Sequence, residues 1–178
     1  KGMQIGDIYS NSPLEKENLD SLLDKFVIGK TKTSQQDIEF SIHQMVEMAL
    51  RALSPGVNDP YTAIACIDNL KATMAHLARV KFPSKYRFDE DKKLRVIADV
   101  LDFEGVLDAA FNQIRQFSGG SPAVIIRLME AFIVIQGFTI TANHKKAVKK
   151  HAQMVLNTGE QTIKEENDLN DLKERSKQ

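Results

Sequence analysis

The stretch "RALSPGVNDPYTA", from Arg51 to Ala63, decides the fold because it turns one helix into another. Pro55-Gly56 is typical of a helix end, and Asp59-Pro60 is typical of a cap followed by the first residue of a new helix. The link between them is short. We therefore expect two helices that reverse direction and lie beside each other.

The residues around this stretch predict a mainly α protein. Apolar residues recur at helical spacing from Ile38 to Leu53 and from Ile64 to Leu77. The most apolar run, Ala123 to Ile140, predicts a buried core helix rather than a membrane span, because charged and polar residues interrupt it. A charged turn between two apolar strands predicts a β-hairpin near 85–100. Asp102 can then cap the next helix. The expected fold is a helical bundle with a short N-terminal strand and a central β-hairpin, a minor β component.

The chain divides into three expected parts. Residues 1–10 contain a strand, predicted over Met3–Tyr9, that has no partner strand nearby before it, and we therefore expect a fragment of a longer protein. Residues 11–160 form the helical soluble domain. Residues 161–178 are a charged C-terminal tail with few apolar residues, which we expect to be a solvated helix or a frayed end.

Composition excludes some classes of function. The 178 residues carry 24 basic and 24 acidic side chains, so no overall excess of positive charge indicates a nucleic-acid partner or an anionic membrane surface. Cys66 is the single cysteine, which excludes an internal disulfide and fits a reducing compartment. Neither a P-loop nor a GxGxxG motif occurs, and no cofactor is predicted.

The turn itself is a candidate binding corner for a small anion. Unpaired backbone N–H groups and the positive end of the helix dipole lie at the start of the second helix. Arg51 precedes the turn by one helical turn, and Asn58 and Thr62 add side-chain donors. Alternatively, Asp59 occupies those N–H groups as a cap, or pairs with Arg51, and the corner is purely structural.

Two other polar groups merit attention. His43 and Glu47 are four residues apart on one helix and are weak candidates for metal ligands, although two ligands are too few for a site. Alternatively, His43 and Glu47 form an exposed pair on the helix surface and bind no metal. Arg115 follows Asn112 by three residues, and a buried Arg115 would need a carboxylate, for which Asp59 and Asp68 are the candidates.

The segment "IHQMVEMALRALSPGVNDPYTAIACIDNL" closely resembles the signature region of a bacterial family of predicted membrane proteins, domain-of-unknown-function family 2254. The family pattern is similar to "ALSPGxNDPxTA". The resemblance continues in "TSQQD" upstream and "LDAAFNQIRQF" downstream, and it covers nearly the whole chain. Family members carry several transmembrane helices before this region. The resemblance therefore implies that the chain is the C-terminal soluble domain of a protein of the cell membrane, on the cytoplasmic side. It also implies that residues 1–10 are the end of a truncated small β module.

The resemblance assigns no catalytic residue. It directs attention to the motif positions and to two further polar positions of the family pattern, which together are Arg51, Ser54, Asn58, Asp59, Thr62, Asp68 and Arg115. The membrane-embedded N-terminal part of the same protein is the expected partner. The apolar surplus of the bundle also fits a homo-oligomer.

Three functions remain open at this point. The first is a non-enzymatic interaction, sensory or regulatory module. The second is an enzyme or binding site for a small anionic ligand, with Arg51 and Arg115 binding charge and Asp59 or Asp68 acting as base. The third is a gating domain of a transporter or channel.

Overall fold

The computed structural model describes residues 8–10, 12–24, 38–98 and 100–178. These residues form a mainly α protein with a minor β component, as predicted. The elements are α1 (Lys16–Leu23), α2 (Ile38–Leu53), α3 (Pro60–Leu77), β1 (Tyr86–Phe88), β2 (Leu94–Ile97), α4 (Phe103–Phe117), α5 (Pro122–Phe138), α6 (Ala142–Thr162) and α7 (Glu166–Arg175). Most of the predicted N-terminal strand lies outside the described residues, and Ile8 and Tyr9 have no regular structure.

The chain separates into two compact units, residues 1–33 and residues 34–178. The described part of the first unit contains α1, a two-turn helix that has no side-chain cap and no buried residue. The second unit contains the bundle and the hairpin. Residues 161–178 belong to this second unit.

Helix α5 is the centre of the bundle. Its seven fully buried residues form one broad face, and it packs against α3, α6 and α7. Helix α2 packs against α3 and α4, and α4 packs against α6. Phe111 of α4 meets Phe132 of α5 edge to face, with ring centroids 4.9 Å apart. The predicted buried helix over 123–140 is thus confirmed.

The predicted helix starts are confirmed in two cases by their caps. Asp59 precedes α3 and accepts backbone N–H groups of its first turn. Asp102 precedes α4 and accepts the N–H of Gly105 at 2.8 Å. Ser121 occupies the cap position of α5, but its side chain makes no capping hydrogen bond. The local feature that favours a helix start here is therefore Pro122 at the first helical position.

The C-terminal segment is more ordered than the sequence suggests. Helix α7 packs against α5 and α6, and it buries Leu172 completely. Arg175 Nη1 lies 2.7 Å from Glu130 Oε1 of α5. The prediction of a solvated or frayed end is wrong for the inner face of α7, because Leu169 and Leu172 are three apart and form a short apolar stripe against the core.

Candidate functional site

Asp59 closes the corner between α2 and α3. Its Oδ1 accepts the backbone N–H groups of Tyr61 and Thr62, both at 3.1 Å. Thr62 Oγ1 donates to Asp59 Oδ2 at 2.5 Å. These hydrogen bonds, first the one from the Thr62 hydroxyl, lower the pKa of the Asp59 carboxyl below its ordinary value. The N–H donors that could hold an external anion are therefore occupied by the protein's own carboxylate.

The rest of the motif also makes internal contacts. Ser54 Oγ donates to the carbonyl of Arg51 at 2.7 Å, and the N–H of Asn58 donates to the carbonyl of Ser54 at 2.9 Å. Asn58 has a positive φ of 50°, a conformation that asparagine tolerates better than most residues. Arg51 is exposed, and its guanidinium has no partner within the described residues. Among the described residues, the corner is thus a closed turn, and the Arg51 guanidinium beside it has no partner there.

Asp68 and Arg115 lie on different helices and have different partners. Asp68 Oδ1 lies 2.7 Å from Lys71 Nζ and 3.7 Å from Arg127 Nη1 of α5. Arg115 Nη1 donates to Thr158 Oγ1 of α6 at 3.3 Å. The expectation that Asp59 or Asp68 pairs with Arg115 is wrong, because Arg115 contacts α6 while Asp68 contacts α5. The structure does not bring together the four charged residues of the anionic-substrate hypothesis.

A polar seam runs between α4 and α6, which the apolar pattern of the bundle does not suggest. We use "polar seam" for Asp108, Asn112 and Arg115 of α4 with His151 and Thr158 of α6. His151 is 1% exposed, and its Nε2 lies 3.2 Å from Asp108 Oδ1. Asn112 Nδ2 donates to the same oxygen at 2.8 Å.

Burial determines the protonation of His151. Desolvation lowers the pKa of its imidazole, and this effect exceeds the attraction of the neighbouring Asp108 carboxylate. The positive charges of Lys150 and Arg115 act in the same direction as burial. The ring is therefore neutral at neutral pH. Phe132 packs against one side of it, with centroids 5.5 Å apart.

Three buried polar atoms of the seam have no hydrogen-bond partner within the described residues. They are Asn112 Oδ1, Arg115 Nε and His151 Nε2. His151 Nε2 is close to Asp108 but is not aligned for a hydrogen bond. Unpartnered buried atoms are rare in folded proteins, and each costs about 1–3 kcal/mol. Their concentration in one seam marks it as the most unusual polar feature of the described core.

A groove between α2 and α4 reaches the polar seam from outside. The groove has a volume of about 490 Å³. Its polar lining consists of His43 and Glu47 from α2 with Asp108, Asn112 and Gln113 from α4. Neither His43 nor Glu47 has a side-chain partner in the described part of the chain. We call this feature the α2–α4 groove. It places the predicted His43–Glu47 pair beside Asp108.

The groove is not a preformed metal centre. Among the residues that the structure describes, no three His, Cys, Asp or Glu side chains are close enough together to hold a metal ion. Glu47 and Asp108 nevertheless give the groove two carboxylates, while His43 adds an imidazole and Asn112 and Gln113 add amides. Such a lining favours a ligand that carries positive charge and hydrogen-bond donors.

Sequence reasoning found one side of the seam and missed the other. It singled out Arg115 and placed it near Asn112, but it assigned no role to His151. Asp108 and Arg115 are seven residues apart, and so are their partners His151 and Thr158. Equal spacing on two helices is the signal that would have paired them, since helices that run parallel keep such a register.

Within the described residues, no helix combines the length and hydropathy that crossing a bilayer requires.

Comparison with known proteins identifies related sequences. The chain is 33% identical, over 141 residues, to uncharacterized proteins of Mycobacterium bovis and of two strains of Mycobacterium tuberculosis. The match covers 79% of this chain and 27% of each relative, so the chain spans about a quarter of their length.

No solved structure matches the chain. Residues 1–133 match the family described as "Predicted membrane protein", domain of unknown function 2254. The match includes the corner, α4 and the first part of α5. It agrees with the resemblance that the motif residues suggest. The chain belongs to this family of predicted membrane proteins, domain-of-unknown-function family 2254.

Proposed function

We propose that the chain is a cytoplasmic regulatory domain of a membrane protein and that the α2–α4 groove is its ligand site. The observation that carries the proposal is the set of unpartnered polar atoms beside this groove. Asn112 belongs to both features, since it lines the groove and its Oδ1 has no donor. This atom is inaccessible in the structure, so a ligand or an ordered water in the groove would donate to it, and remove its desolvation cost, once the Asn112 side chain turns toward the groove.

The lining points to a class of ligand. Two carboxylates, Glu47 and Asp108, face a groove in which the other polar groups are His43 and two amides. An amine or another small organic cation matches this lining by charge and by hydrogen bonding. The corner at Asp59 is less suitable for an anion, because its carboxylate already accepts the N–H donors there.

Asp108 supplies a physical route from the groove to the core. Its side chain is 43% exposed on the groove side, yet its Oδ1 contacts the buried ring of His151. A ligand that draws Asp108 outward would remove the carboxylate nearest to His151 and change the contact between α4 and α6. Binding would then favour one arrangement of these two helices over another, which is the requirement for a regulatory domain.

The cytoplasmic location is supported by the chemistry of the single cysteine. Cys66 is buried and reduced, and burial raises the pKa of its thiol. A chain without disulfides fits a reducing compartment.

A fluorescent reporter that folds only in the cytoplasm, fused after Gln178 in the intact membrane protein, should be bright. A dark reporter, with a periplasmic enzyme reporter active at the same position, would overturn the assignment.

A thermal-shift measurement tests the ligand site. The chain is heated with spermidine, putrescine or Mg²⁺, and with phosphate or citrate as anionic probes. We expect the amines to raise the unfolding midpoint, because a ligand that binds the folded state stabilises it by mass action. Asp108→Asn should abolish the shift, whereas Asp91→Asn, which removes an exposed carboxylate of the hairpin turn, should retain it.

Two other results of the thermal-shift measurement would contradict a cation site in the groove. A shift with phosphate or citrate that Arg51→Ala removes would place the ligand site at the corner instead. No shift with the amines or Mg²⁺, or an equal shift in Asp108→Asn, would overturn the proposal for the groove.

A further inference from the structure

We propose that the β-hairpin binds the surface of an anionic lipid bilayer through one of its faces. We call this the hairpin face and define it by Tyr86, Phe88, Leu94 and Ile97. The proposal does not depend on the α2–α4 groove, and it rests on the register, exposure and charge of the hairpin.

The register of the two strands places these four residues together. Tyr86 lies opposite Ile97, and Phe88 lies opposite Leu94. Directly opposite residues of an antiparallel pair project from the same face, and so do residues two apart in one strand. The irregularity in β2, where Arg95 is the extra residue, brings Leu94 and Ile97 to the same face although they are three apart. In a regular strand, Leu94 and Ile97 would project from opposite faces of the hairpin. The bulge therefore places both of them on the apolar face.

All four side chains are exposed, including Phe88 at 60% and Ile97 at 67%. An isolated two-stranded hairpin is only marginally stable in water, so an uncovered apolar face on it is a costly feature. Together the four side chains expose on the order of 400 Å², about half of what one partner buries in a stable protein interface. This area favours a lipid surface over a second copy of the chain.

The charge of the segment favours an anionic surface. From Lys81 to Ile97 the chain has six basic and three acidic side chains, a net charge of +3, although the whole chain is neutral. One of the acids, Asp89, is used internally, because its carboxylate pairs with Arg95 at 2.6 Å and accepts the N–H of Lys93 at 2.8 Å. Two hairpins packed face to face would bring these like charges together.

The arrangement suits a hairpin that lies flat on the membrane. Glu90 and Asp91 form the tip of the turn, so insertion by the tip is unfavourable. Lys85 packs over the ring of Tyr86, with Nζ 5.0 Å from its centroid. A lysine beside an apolar residue extends its ammonium group to the headgroups while its methylene groups stay on apolar surface. Aromatic residues such as Tyr86 and Phe88 are favoured at that depth.

A vesicle flotation assay tests the proposal. The chain is mixed with phosphatidylcholine vesicles or with vesicles that contain about one third phosphatidylglycerol, and the bound fraction is measured. We expect binding to the anionic vesicles that weakens with added salt. Phe88→Ser combined with Ile97→Ser should weaken binding about tenfold or more. Lys92→Glu combined with Lys93→Glu should weaken it by a similar factor.

The bundle offers a matched control. Phe117 and Ile140 are 61% and 66% exposed, nearly equal to Phe88 and Ile97, but they lie outside the hairpin. Phe117→Ser combined with Ile140→Ser should bind as the unsubstituted chain does, and circular dichroism establishes that every variant is folded. Absence of binding to anionic vesicles, or equal loss in the control, would overturn the proposal. So would concentration-dependent self-association that the hairpin variant alone abolishes without any lipid binding.

A fluorescence measurement reports on the hairpin directly. The chain contains no tryptophan, so Phe88→Trp introduces a single reporter. Its emission should shift to shorter wavelength when anionic vesicles are added, because the indole leaves water. Phe117→Trp, the corresponding reporter outside the hairpin, should not shift. Equal shifts at both positions, or no shift at Phe88→Trp, would contradict binding through this face.

Discussion

His151 Nε2 lies 3.2 Å from Asp108 Oδ1, and this contact joins a buried imidazole of α6 to a carboxylate that lines the α2–α4 groove. It combines a solvent-accessible charge with a core ring that has no aligned hydrogen-bond partner at Nε2. In the proposed regulation, a change at the surface would act through this contact on the packing of α4 against α6.

The buried imidazole makes stability dependent on pH. Burial lowers the pKa of His151 below its ordinary value of 6.5, so the unfolded chain binds a proton that the folded chain resists. The free energy of unfolding should be constant above about pH 6.5 and should fall as the pH drops below that value, by no more than about 1.4 kcal/mol per pH unit for one proton. Urea unfolding at a series of pH values measures this slope.

The assignment of that slope to His151 needs two variants. His151→Leu should remove this part of the pH dependence, while His76→Gln, which replaces an exposed histidine of α3, should leave it unchanged. Glu104, Asp108, Lys150 and Arg115 surround the ring electrostatically and remain in both variants. An identical slope in His151→Leu and the unsubstituted chain would refute the assignment.

Asp59 should act as a helix cap whose removal weakens α3. Asp59→Ala leaves the N–H groups of Tyr61 and Thr62 without their acceptor, so the thermal midpoint should fall. Asp59→Asn should retain most of the stability, because asparagine also caps helices well. Since hydrogen bonds lower the pKa of Asp59, its contribution is present at neutral pH and is lost in acid as the carboxyl is protonated. A neutral effect of Asp59→Ala would be inconsistent with this role.

Substitution of two glycines by alanine should change the stability of the protein in opposite directions. At Gly159 of α6 a Cβ would overlap Leu172 of α7, so Gly159→Ala should destabilise the protein by about 1–3 kcal/mol by displacing α7. At Gly137 of α5 a Cβ meets nothing within 4 Å, so Gly137→Ala should stabilise by about 0.5–1 kcal/mol through helix propensity. Chemical denaturation measures both. Equal stabilisation in both variants would show that α7 does not pack tightly at Gly159.

The local signals of the sequence predict much of this fold. Asp59-Pro60 and Asp102 mark helix starts correctly because capping depends on residues within one turn. The hairpin is also predicted, although β2 ends at Ile97, three residues before the expected Val100. Long-range pairings are not predicted. Arg115 pairs with Thr158 rather than with a carboxylate, because the choice depends on which helix packs against α4.

The same limit applies to the candidate site. The corner residues were identified from their motif, yet their geometry shows them mainly bound to one another. His151 looks like one more residue of a basic helix in the sequence. Its burial appears only when α6 packs against α4 and α5, since helical periodicity does not reveal which neighbour covers a given face.

Histidine NMR during a ligand titration tests most directly whether the groove communicates with the core. The chain is labelled at histidine nitrogen, and spermidine is added to the unsubstituted protein and to Asp108→Asn. We expect the His151 ring signals to move in parallel with the rise in thermal midpoint and to stay unmoved in Asp108→Asn. Stabilisation by spermidine without a response of His151, or an equal response of His151 in Asp108→Asn, would show that the groove does not act on the core through Asp108.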